Sequence, residues 1–146
     1  MNLERPATVK KKTPPPKKKT PRHVPTPGLY GWITHTDLAS ANPAATRAWC
    51  AKVLSWVFRP SFPMAGGGEY HLFAYSEQGG GGIRATNPGE APGSVPFIHV
   101  ADAHAAFDLA LREGAEAISS PARVMEGVTI ALVRAPGGVT IGFSGP

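Results

Sequence analysis

Four side chains with the chemistry of a site lie in segments of strand character: His35, Asp37, His71 and His99. Imidazole can take up or release a proton near neutral pH, accept or donate a hydrogen bond, or ligate a divalent metal. Asp37 follows His35 by two residues, so on a strand both leave the same face, and His99 likewise shares a face with Val95. A His/His/Asp set has acceptable chemistry for a divalent ion, with His35 and His99 the weak metal candidates. Without a metal, the same groups would supply hydrogen bonds to an organic molecule. His71 has a plainer alternative, filling one face of a sheet beside Phe73 and Tyr75.

Other reactive types carry less. Cys50 has no adjacent base and reads as a small helix hydrophobe. Residues 79–82 are four glycines without the Gly-Lys-Ser context of a phosphate loop, and read as a flexible connection between two strands. No serine sits in a nucleophile-elbow pattern. His104 reads as solvent-facing, and Trp49 as packing under its helix. No catalytic residue can be named.

The elements that must hold these groups repeat. Segment 29–38 alternates, with Ile33, His35 and Asp37 on one face and Trp32, Thr34 and Thr36 on the other. Asn42 before Pro43 signals a helix start, because the Asn side chain accepts an orphan N–H and Pro at the first position loses none. Ala45, Trp49, Val53 and Trp56 then recur at helical spacing and predict an apolar face on a sheet. Strands are expected at 56–59, 69–76 and 82–86. A second copy follows: a strand over 96–101, a helix capped by Asp102 with the stripe Ala103, Ala106, Phe107, Ala110 and Leu111, a stop at Gly114, and strands near 115–118, 128–133 and 139–143. The pattern is βαβββ written twice, an α+β domain over 29–146 with a cupped mixed sheet.

Residues 1–28 differ in kind. They hold eight of the 15 Lys and Arg, one acidic residue and seven of the 16 Pro, so this arm carries +7 and residues 29–146 carry −2. A folded nucleic-acid-binding domain should bear its basic stripe on structure, which excludes that reading for the domain. Prolines and like charges predict an extended, disordered arm. Two readings of it stand: weak contact with nucleic acid or another polyanion, or a solubility extension or start-codon artefact. No run of eighteen apolar residues offers a membrane span, and the single cysteine with no apolar leader makes the cytoplasm the expectation.

Residues 29–146 resemble the vicinal oxygen chelate superfamily, the glyoxalase, bleomycin-resistance and extradiol-dioxygenase group. The resemblance rests on the first strand with Asp37-Leu38, AWCAKVLSW over 48–56, FIHVAD over 97–102 leading into an Ala-rich helix, and RAPGGVTIG over 134–142. It implies two βαβββ modules, a homodimer, and a divalent metal held in the cup as a Lewis acid. Ser55 stands where the family usually has Gly, and Cys50 where it usually has Tyr. Of the implied metal positions, His35 matches the first. Val95 and Gly142 stand at two others, and the position near Ile83 and Arg84 offers no donor.

The sequence therefore predicts a glyoxalase-like domain that binds a small organic molecule in a sheet-lined cup, with no cofactor. His35, Asp37, His71, Phe73, Phe97 and His99 are the candidate ligand-binding residues, with Ile33 and Trp32 or Tyr75 adding apolar area. Two alternatives are a metal-dependent lyase or dioxygenase with a rearranged His/Asp site, and an interaction protein acting through its basic arm.

Overall fold

The computed structural model describes Pro14 and residues 29–146. The expected disordered arm lies, apart from Pro14, outside the described residues. In chain order the elements are β1 (Ile33–Ser40), α1 (Pro43–Val53), β2 (Val57–Phe58), β3 (Phe62–Pro63), β4 (Glu69–Ala74), β5 (Gly80–Ala85), β6 (Gly93–His99), α2 (Ala103–Arg112), β7 (Glu116–Met125), β8 (Val128–Arg134) and β9 (Thr140–Gly145). The strand order is β2-β4-β5-β1-β6-β9-β8-β7, with β3 also on β4. Each module pairs its first strand in parallel with its last, β1 with β5 and β6 with β9, and β1 and β6 join the modules antiparallel. This is the predicted α+β architecture of two βαβββ modules.

The helix starts follow the sequence. Asn42 Oδ1 accepts from the Ala45 N–H at 3.1 Å, and Asp102 Oδ1 from the Ala105 N–H at 3.0 Å. The helix α2 ends at Gly114, whose φ of +99° only glycine adopts freely. Most of its stripe lies as expected, with Ala103 and Phe107 buried and Phe107 packed on Ala131, Val133 and Ala110, but Leu111 at its end is exposed.

The first helix departs from its pattern. Ala45, Trp49 and Val53 are exposed, Trp49 at 57%, and Cys50 is the residue that packs on the sheet against Phe73 and Ile83. Of the apolar set only Trp56, beyond the helix, packs on this core; the sheet-facing side of α1 is made of small residues, Cys50 and Thr46, the latter bonded to Ser40 Oγ at 2.7 Å. Cys50 is the inert hydrophobe expected, its thiol pushed up by burial.

The glycine run is a second correction. Residues 80–82 are not a connection but the first half of β5. A Cβ on Gly81 would overlap the Thr36 carbonyl of β1, and one on Gly82 would overlap the Tyr70 ring. Close approach of neighbouring groups, rather than flexibility, is what these glycines supply.

Candidate functional site

Sheet register sorts the candidate residues onto two faces. Pairing places Leu38 beside Ile83 and Ile83 beside His71, while His35 pairs with Phe97 and Phe97 with Gly142. His71 and Phe73 therefore share the helix-covered face with Ile83. His35, Asp37, Phe97 and His99 share the opposite, open face. Two of the six predicted ligand-binding residues are thus on the wrong side for the cup. Phe73 is 4% exposed in the core under α1, and His71, 6% exposed, bonds Ser61 Oγ through Nδ1 at 2.5 Å. Alternation along β4 causes this, because placing His71 outward requires Tyr70 to point inward.

Tyr70 is the residue the sequence reading missed, and it organises the open face. Its hydroxyl donates to Asp37 Oδ1 and accepts from His35 Nε2 at 2.7 Å. Asp37 Oδ2 accepts from Arg84 Nε at 3.3 Å, and the Arg84 guanidinium grips Glu90 with two bonds of 2.8 Å. The result is one continuous row, His35–Tyr70–Asp37–Arg84–Glu90. A phenol has a single proton. With that proton given to Asp37, the Tyr70 oxygen can only accept from His35, so His35 carries a hydrogen on Nε2 and, in the neutral ring, keeps its lone pair on Nδ1. The His35 side chain is the most exposed of its row, at 35% against 17% for Asp37 and 13% for Arg84.

The charges are fixed by their partners. Burial opposes ionisation of Asp37, but hydrogen bonds from His35 and Tyr70 and the fields of His35 and Arg84 outweigh it and hold the carboxyl below its ordinary value. Burial and the Asp37 charge push the Tyr70 phenol well above its own. Hydrogen bonds from Arg84, with help from the Asn87 N–H, hold Glu90 down to about 2 despite some burial. Glu90 in turn raises Arg84.

Aromatic rings surround the row. Phe97 meets His35 edge-on at 5.6 Å, and Phe62, 45% exposed, lies 5.3 Å from Tyr70. His99 is buried under Tyr30, stacked at 5.4 Å, and its Nε2 has no hydrogen-bond partner. Two concavities lie elsewhere. One of about 480 Å³ is lined by α1, Trp56, Phe58 and His71, and one of about 640 Å³ by residues around Trp56 and Tyr75. Neither includes the His35 row.

Neither Tyr70 nor Arg84 had a strong sequence signal. An arginine inside a strand beside glycines and alanine does require a partner, and Glu90 six residues on was the available clue.

No family model matches the chain, and no curated protein does. Solved structures do match. The fold is that of the vicinal oxygen chelate proteins, to which two of the matching enzymes belong. Methylmalonyl-CoA epimerase from Mycobacterium tuberculosis superposes with a TM-score of 0.64 at 17% identity, over 85% of this chain and 93% of that one. A hypothetical protein from Bacillus halodurans C-125 gives 0.63 at 12% identity, over 77% and 91%. A variant of 4-hydroxymandelate synthase from Streptomyces coelicolor gives 0.61 at 17%, over 76% of this chain and 37% of that one.

The metal that the superfamily resemblance implies is not matched by the donors here. A divalent site takes three or four protein donors. Among the described residues no three His, Cys, Asp or Glu side chains converge, so the rearranged His/His/Asp set is not assembled either. Rings stand where ligands from β5 and β9 would rise. A Cβ on Gly82 would overlap the Tyr70 ring, and one on Gly142 the Phe97 ring. His35 Nε2 is engaged by Tyr70, and both Asp37 oxygens accept hydrogen bonds already.

Proposed function

We propose that this protein binds a small organic molecule on the open face of its sheet, through the His35 row and without a metal. The observation that carries the reading is the ordered chain from His35 to Arg84. It holds one imidazole with a free acceptor nitrogen at the exposed end of an otherwise satisfied network, beside the rings of Phe97 and Phe62. Buried polar networks of this completeness fix side-chain positions, which is what a binding face needs before its ligand arrives. Phe97 and Tyr70 supply the apolar floor, His35 the hydrogen bond, and Asp37 and Arg84 the support that keeps His35 in one tautomer.

The test is a fragment screen by NMR on the full-length protein. Binders should move the resonances of His35, Tyr70 and Phe97, and their affinity should be unchanged by EDTA. Hits that cluster instead around Trp56 and His71 would place binding on the other side of the sheet.

The partner we propose besides a ligand is a second copy of the chain. Trp49, Val53 and Val57 are more than half exposed, and covering them would remove apolar area from water. Light scattering at micromolar concentration should give twice the chain mass. Contact of residues 1–28 with polyanions, and a cytoplasmic location, are part of the same proposal. No helix among the described residues is long and apolar enough to cross a membrane.

A further inference from the structure

The charge and proton order of the His35 row say what kind of molecule it takes. Two carboxylates, Asp37 and Glu90, stand against one guanidinium, Arg84, so with neutral His35 the row carries −1. Its only cation is already spent. The Arg84 guanidinium is 13% exposed, bonded twice to Glu90 and once to Asp37, and also to the Ala85 carbonyl. In the neutral ring the outward polar atom is therefore the His35 Nδ1 lone pair, which accepts and cannot donate because the single proton sits on Nε2. Rings of Phe97, Tyr70 and Phe62 lie within reach of the same place, and aromatic faces attract cations and planar groups.

Resting on the binding reading above, we propose that the open face selects neutral or cationic molecules with an N–H or O–H donor on a planar body, and rejects anions. An anion here would meet no free donor and would lie against two carboxylates. A cationic or neutral donor meets an acceptor, a net negative field and aromatic surface.

Three matched probes test this on the full-length chain: benzylamine, benzyl alcohol and benzoate, titrated at neutral pH while the His35 ring resonances are followed. The local readout separates the face from the basic residues 1–28, which attract benzoate wherever they lie. The expected result is that benzylamine and benzyl alcohol shift His35, with benzoate at least tenfold weaker. Glu90→Gln, which releases part of Arg84, should narrow that gap at least threefold. Benzoate binding at His35 as tightly as benzylamine would overturn the selectivity and leave the binding reading standing. If none of the three moves His35 while the wild-type fold is intact, the binding reading fails and the selectivity falls with it.

Discussion

Tyr70 gives its single hydroxyl proton to Asp37, and that bond decides which nitrogen of His35 carries a hydrogen. Replacing Tyr70 by Phe removes the relay and little else, since the ring still covers Gly82. Losing the two part-buried bonds of the hydroxyl, to Asp37 and from His35, and leaving a carboxylate oxygen short of a donor should cost about 1–3 kcal/mol, read from urea unfolding. Nitrogen chemical shifts of His35 should also report a mixture of tautomers in place of the Nε2–H form.

Arg84 holds two acids at once. Arg84→Met keeps most of the stem but strands Asp37 and Glu90, one of them at 17% side-chain exposure. The expected loss is about 2–4 kcal/mol, near the range for breaking a buried ion pair by removing one partner. Chemical denaturation measures it.

The pH dependence follows in sign from the same pair. Glu90 is lowered from 4.5 to about 2, and Asp37 is also lowered, so both bind protons more readily when unfolded. Their stabilisation is present above the ordinary carboxylate range and is lost as pH falls through the folded values, between about 4.5 and 2. Unfolding midpoints across that window should fall for the wild type and fall less steeply for Arg84→Met.

How much of this was legible beforehand depends on the residue. Caps at Asn42 and Asp102, the α2 stripe and the repeat of βαβββ could be read because each rests on local chemistry within a few residues. The facing of β4 could not. Strand periodicity gives two parity choices, and the histidine points to the inward one although Tyr70 holds it; Gly82, which makes room for that ring, reads as the junction of a glycine connection and a strand, with nothing to show which side chain needs the space. The α1 face failed for a related reason, since Trp49 and Val53 look like core by type and stand exposed. That Val95 and Gly142 carry no metal donor, by contrast, is readable from residue type alone.

Ser55 offers a stabilising change. It follows the end of α1 with φ of +56°, a conformation where glycine is at ease and a side chain is not. Ser55→Gly should raise stability by about 0.5–1 kcal/mol, seen as a higher thermal midpoint. Gly82→Ala should do the reverse by forcing the Tyr70 ring away from Asp37, at about 1–3 kcal/mol.

The most direct test of a metal-free binding face is elemental analysis of the full-length protein purified without chelators, alongside His35→Ala. The account predicts well under one equivalent of nickel, zinc, iron or manganese in both, with ligand affinity unaffected by chelation and lost in His35→Ala. One equivalent of such a metal in the wild type, absent from His35→Ala, would contradict it and make the protein a metal-dependent one.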